Sequence, residues 1–175
     1  MPTYSERPQA GEFAPYYAPY IERVPAGDIA DILESQMEKT LARLRAVPDE
    51  RGTFRYQPGK WSVNDVVGHV SDTERIYAYR ALRIARADRT PLPAFEQDDY
   101  VAVAGADGRD LREIVNELEA VRRASVALLR SFDPEVWVRM GVVSGYDASV
   151  RSLAYIMAGH ELHHMGVLAE RYGVR

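Results

Sequence analysis

The chain contains no cysteine. That absence removes disulfides, thiolate metal ligands and a protein-borne thiol nucleophile, so any thiol chemistry must be brought by a second substrate. Histidine is nearly as scarce, with four in 175 residues, and tryptophan scarcer still, with two. No apolar run approaches the roughly 18 residues of a membrane span, and the first residues carry neither a basic nor an apolar leader-like region. The expectation is a cytoplasmic protein with no membrane partner. A strong charge of either sign is also missing. The formal net charge is -4, and Lys and Arg are scattered among acidic residues, which leaves no footprint for a phosphate backbone. Nucleic acid is therefore not an expected partner.

Of the residues present, 46% are apolar, and a chain of this length suits one well-buried core better than two. A single domain is expected over residues 27–175. Residues 1–26 differ: Pro2, Pro8, Pro15, Pro19 and Pro25 alternate with Tyr4, Phe13, Tyr16, Tyr17 and Tyr20. Such a mixture is expected not to hold a helix but to lie extended on the domain as an N-terminal arm. Asp28 as N-cap and apolar positions from Ile29 to Leu44 at helical spacing predict the first long helix, ended by Pro48. Ser62 and Asp65 form a capping-box-like start, with Trp61 as hydrophobic staple, to a second helix reaching about Ala87. A third runs from Asp110 or Leu111 to Phe132, before Asp133-Pro134, and a fourth from about Ser149 to Tyr172, before Gly173. Residues 88–110 read as a long connection with little periodicity, a kind of loop that is often functional. A second connection holds Trp137, Gly141, Gly145 and Tyr146, and no strand pair is expected in either. The pattern is that of an all-α protein, a four-helix bundle with long inter-helix loops, in which facing helices can build a metal site.

The chemistry gathers in Gly159-His160-Glu161-Leu162-His163-His164-Met165-Gly166, which holds three of the four histidines. At about 100° per residue, Leu153, Met157, His164, Val167 and Arg171 lie within about 60° of His160. His160 and His164 thus share an inward stripe, while His163 falls about 80° from its centre, at the edge. Two imidazoles at i and i+4 project side by side, as in sites that grip a transition metal. The fourth histidine, His69, lies on the second helix in a strip with Thr73, Ile76 and Arg80 that borders the apolar face. Neighbouring placement of the second and fourth helices would let His69, His160 and His164 converge. The same residues match H-E-x-x-H, the zinc-protease helix, but only eleven residues follow His164 and no strands are expected to bind a peptide. Glu161, about 100° round from His160, could reach a metal-bound water or could be an ordinary surface carboxylate. Arg80 could bind an anionic substrate group or form a salt bridge. Asp98 and Asp99 could close over the site from their loop, but read first as a solvated acidic turn, and Trp61 and Trp137 read as core or cap residues.

Several segments resemble the DinB/YfiT-like family of damage-inducible metalloproteins. They are Lys60-Trp61-Ser62-Val63-Asn64-Asp65-Val66-Val67-Gly68-His69-Val70, Asp72-Thr73-Glu74-Arg75, Phe95-Glu96-Gln97-Asp98 and Gly159-His160-Glu161-Leu162-His163-His164. The resemblance implies an up-up-down-down helical bundle, commonly a homodimer, in which His69, His160 and His164 hold a divalent metal ion completed by water and His163 is not a ligand. It also implies a small-molecule enzyme. The reading it favours is a thiol S-transferase that activates a low-molecular-weight thiol toward an electrophile; the candidate catalytic residues, read from the sequence itself, are Arg80 for an anionic substrate group and Glu161 for the proton shuttle that hydrolysis would need. A metal-dependent hydrolase and a non-catalytic metal-binding bundle are the alternatives. Three neutral imidazoles suit zinc or nickel, and leave a divalent ion its full charge.

Overall fold

The four long helices form where their caps and periodicity place them, whereas the short helices at Ala18–Arg23 and Gln97–Ala104 arise in segments expected to be an extended arm and a loop. The computed structural model describes residues 4–175. Its long helices are α2 (Ile29–Arg45), α3 (Val63–Ala85), α5 (Leu111–Arg130) and α6 (Val150–Tyr172), joined by the shorter α1 (Ala18–Arg23) and α4 (Gln97–Ala104). Asp28 caps α2 by accepting from the amides of Ala30 and Asp31. Ser62 and Asp65 close a reciprocal capping box on α3, and Ser149 and Ser152 do the same for α6. Gly173, in the left-handed conformation, ends α6.

α2 packs on α5 and α6, and α3 packs on the same two helices from the other side. The result is a four-helix bundle. Arg130 near the end of α5 pairs with Asp31 and Glu34 at the start of α2, so these two helices are antiparallel. Asn64 at the start of α3 donates to the carbonyls of Ala106 and Arg109 just before α5, while Glu74, midway along α3, pairs with Arg122, midway along α5, which makes α3 parallel to α5. The Tyr172 hydroxyl donates to the Trp61 carbonyl while His69 meets His160, so α6 is antiparallel to α3. The order is up-down-down-up, a correction to the up-up-down-down order implied by the resemblance. The physical reason lies in the connections. Residues 46–62 turn back at one end, where the amides of Val63 and Asn64 donate to the carbonyls of Phe54 and Gly52. Only residues 86–110 cross the length of the bundle, from Leu92, bridged to Val143, to Ala106, whose carbonyl accepts from Asn64. That crossover carries α4 with it.

Two other expectations are corrected. The N-terminal arm is not extended throughout: Pro15–Tyr17 form a 3₁₀ turn that leads into α1. Pro15 and Pro19 occupy first-turn positions, where a missing amide costs nothing and the fixed φ favours helix, so they start these turns instead of breaking them. The arm's first three residues lie outside the described residues. The second connection contains an antiparallel hairpin, β1 (Met140–Val143) with β2 (Tyr146–Ser149), turned at Ser144-Gly145 with both φ positive.

The core is split into two apolar clusters, and every long helix changes cluster at a polar residue. Leu33 and Met37 flank Gln36, Val70 and Tyr77 flank Thr73 and Glu74, Leu118 and Val126 flank Arg122, and Ala158 and Met165 flank His160 and Glu161. A polar layer therefore crosses the middle of the bundle. α6 runs through its centre, buried on all sides from Val150 to Glu161. Gly159 allows one close approach, because a Cβ there would lie 2.1 Å from the Tyr20 carbonyl oxygen of α1.

Candidate metal centre

Three histidines converge in this layer. His160 Nε2 lies 3.1 Å from His69 Nε2 and 3.1 Å from His164 Nε2, and the three rings offer ligand atoms all within 4.8 Å of one another. His69 and His160 are buried, at 4% and 5% exposure, and His164 is partly buried. Burial is the main cause that lowers their basicity. The His69 pKa falls to about 4, against a smaller opposing effect of Asp98, and that of His164 to about 3, helped by His69 and His163. His160 is shifted well below the ordinary value by burial and then by its three histidine neighbours. All three are neutral at pH 7, the form that binds metal.

Whether such a set fits an ion can be judged from its donors. Each neutral imidazole has one lone pair and one N–H, and the single Nε2 of His160 cannot form good hydrogen bonds to two like nitrogens at once. A metal satisfies all three lone pairs together. Ligand bonds of about 2.0–2.1 Å put neighbouring nitrogens roughly 3 Å apart, close to the separations found here. Thr73 Oγ1, 3.4 Å from His69 Nδ1, stands where it can orient that ring through its other nitrogen. The residues present therefore fit a divalent ion.

The surroundings are aromatic. Trp61, read from the sequence as a core or cap residue, lies with its ring centroid 4.8 Å from that of His69. Tyr20 of α1 packs edge-on to His160 at 5.8 Å and also covers His163, at 5.2 Å. His163 is only partly buried and outside the three-ring cluster. Tyr20 was not singled out as a site residue in the sequence, although Gly159, a mid-helix glycine beside His160, was a signal of close approach there. Trp137 is in the core, stacked on Tyr4 at 4.8 Å.

Glu161 is neither an open base nor a surface carboxylate. It is 2% exposed, and its oxygens accept from Thr40 Oγ1 at 2.5 Å, Gln36 Nε2 at 2.9 Å and Arg122 Nη1 at 2.8 Å. Arg122 in turn is bidentate to Glu74 and donates to the Leu33 carbonyl. Burial opposes the Arg122 charge, but the adjacent Glu161 and Glu74 outweigh it and raise the pKa further. Arg80, in contrast, reaches a cleft of about 440 Å³ that also touches His160, Thr73, Tyr77 and Asp98. A second cleft of about 550 Å³ touches His164, His163, Trp61 and Tyr56, and Asp98 walls both. Asp99 is exposed and lines neither.

Comparison with known proteins bears on this arrangement. A curated relative from Oceanobacillus iheyensis, OB0413, whose name proposes a metal-dependent hydrolase, is 28% identical over 151 residues, 82% of this chain and 85% of its own. The fold is shared with YfiT from Bacillus subtilis, proposed to be a metal-dependent hydrolase with an unusual four-helix bundle topology. The likeness has a TM-score of 0.66 at 16% identity and covers 98% of this chain and 95% of YfiT. It is shared also with a mycothiol-dependent maleylpyruvate isomerase, at a TM-score of 0.66 and 10% identity, over 78% of this chain and 58% of that one. Among the described residues no helix is long and apolar enough to cross a membrane. The model of the DinB superfamily matches residues 32–168, most of the chain and all three converging histidines, and the protein belongs to that superfamily.

Proposed function

We propose that the protein is a divalent-metal-dependent enzyme of small molecules, and within that class a thiol S-transferase. The ligands are His69, His160 and His164, and the ion is zinc or nickel. A bound divalent ion would supply Lewis acidity, which lowers the pKa of a coordinated thiol or water. The chain's own residues do the rest. Burial keeps the three imidazoles unprotonated, Trp61 and Tyr20 limit water around the rings, and Thr73 steadies His69.

The observation that carries transfer over hydrolysis is the pair of clefts that reach the histidines on either side of Asp98. Two substrates need two approaches, and a chain without cysteine must receive its thiol from one of them. Hydrolysis is favoured by the name of the Oceanobacillus relative. It requires a base, and Glu161 is committed to Arg122, Gln36 and Thr40. We assign that role to Asp98, the carboxylate common to both clefts, and regard Glu161 as a structural residue. The homodimer and the cytoplasmic location belong to the same proposal, and light scattering tests the first.

The deciding experiment assays thiol conjugation and ester hydrolysis on the same preparation, metal-loaded and chelated. Thiol conjugation that disappears on chelation and returns with the ion is the expected result. Hydrolysis that needs the ion but no thiol would replace the transferase reading, and neither activity would leave a metal-binding bundle.

A further inference from the structure

We propose that Arg80 forms a carboxylate-binding subsite at the end of the cleft that reaches His160, so that one substrate carries a compact carboxylate group. This rests on the reading of that cleft as a substrate site and adds a substrate class to it.

The molecule contains its own controls. Three arginines are buried: Arg80, Arg122 and Arg151, at 3%, 1% and 7% exposure. Arg122 is paired with Glu74 and Glu161, and Arg151 with Glu6 and Glu12. Arg80 has no carboxylate partner among the described residues. Its Nη2 donates to the Pro93 carbonyl at 2.6 Å and to Ser144 Oγ at 3.3 Å, and no described residue accepts from Nε or Nη1. A buried charge left without a counter-ion is costly, so an isolated guanidinium of this kind marks a place where an anion arrives. The unpartnered nitrogens are not sealed inside the protein. Among the described residues, the only side-chain atoms both buried and unsatisfied are Gln36 Oε1 and Asn64 Oδ1. The free edge of Arg80 therefore opens on the cleft that it lines.

Two aromatic rings flank the guanidinium. Its central carbon lies 5.8 Å from the Tyr77 ring centroid and 5.7 Å from that of Phe95, and its Nε and Nη1, without acceptors among the described residues, are the pair that a bidentate oxyanion would take. Tyr16 lines the same cleft and, like any tyrosine at neutral pH, presents a hydroxyl. Tyr77 also stands 6.3 Å from the His160 ring, so one metabolite-sized molecule can touch Arg80 with one end and the metal centre with the other. A singly charged group fits better than a phosphate. Arg80 is the one cationic side chain among the residues lining this cleft, while Glu96 and Asp98 line it too and would repel a dianion.

The test is calorimetric titration of the full chain, chelated and metal-loaded, with benzoate and phenylacetate against their neutral amides and inorganic phosphate. The acids should bind the chelated protein at least about tenfold more tightly than the amides, as expected for charge-assisted hydrogen bonds. Arg80→Met should abolish that preference and Arg80→Lys weaken it. If Arg80→Met does not fold, the Arg80 Nε–H resonance of the wild-type protein, assigned by its loss in Arg80→Lys, should shift with benzoate and not with benzamide. Equal binding of acid and amide, acid binding undiminished in Arg80→Met, or tighter binding of phosphate would each overturn the proposal. Acid binding that requires the ion and ignores Arg80 would overturn the subsite while supporting the metal centre. Arg80-dependent binding in a protein that takes up no metal would do the reverse.

Discussion

His160 and Glu161 are neighbours in sequence, 5% and 2% exposed, and lie about 100° apart round the most buried helix of the molecule. On the Glu161 side, Arg122, Glu74, Gln36 and Thr40 share out nearly every donor and acceptor, with Gln36 Oε1 the one atom left over. On the His160 side, three imidazoles turn their Nε2 atoms toward one another beside two clefts. Both clusters belong to one polar layer and both are costly to bury. The difference lies in completeness. A saturated network needs nothing from outside and holds the helices in register, whereas an unsaturated one is finished by a ligand.

The largest contrast should come from breaking each side by one residue. Arg122→Met leaves two buried carboxylates without their cation and should cost about 3–5 kcal/mol in urea denaturation. His160→Ala should leave the chelated protein folded and remove its stoichiometric metal. If both variants lost only stability, the distinction between the clusters would collapse. A next effect concerns the approach of α1. Gly159→Ala forces a methyl against the Tyr20 carbonyl and should displace the arm, seen as faster proteolysis within residues 4–26. Unchanged cleavage would mean that α1 is not seated on α6 as described.

Adding the ion should raise stability through one side alone, by about 2.7 kcal/mol at a hundredfold excess over Kd. Glu161→Gln should lower the baseline and keep this increment; loss of the increment would put Glu161 back among the metal-site residues. The smallest effect belongs to another saturated cluster, where Arg151 of α6 binds Glu12 of the arm. The Arg151 hydrogen bond holds the Glu12 carboxyl below its ordinary value of 4.5, against burial and with help from Ser149. The unfolded chain thus takes up this proton first as pH falls. The contribution of Glu12 is complete above about pH 4.5 and fades as pH drops through the folded value. Stability curves of wild type and Glu12→Gln should converge as pH falls below about 4.5; a constant gap would contradict the sign.

Much of this was legible in the chain. The caps at Asp28, Ser62 and Gly173 fixed helix ends to within a few residues because capping is local chemistry. The i, i+4 spacing of His160 and His164 put them on one face because helical geometry is also local. The surroundings depended on tertiary packing. Glu161 gave no sign of its fate, since its partners lie more than a hundred residues away on α2 and some forty away on α5. The helix directions followed from which connection crosses the bundle, and connection length alone does not settle that. Pro15 and Pro19 misled because a proline starts a turn as readily as it ends one, and the Ser144-Gly145 hairpin was hidden in strands only four residues long.

The central claim is that His69, His160 and His164 jointly hold one divalent ion. Elemental analysis of the purified full chain, alongside His69→Ala, His160→Ala, His164→Ala and His163→Ala, tests it most directly. One ion per chain in the wild type and in His163→Ala, with near-total loss in the other three, is the expected result. No metal in the wild type after reloading at neutral pH, or equal loss in all four variants, would contradict it.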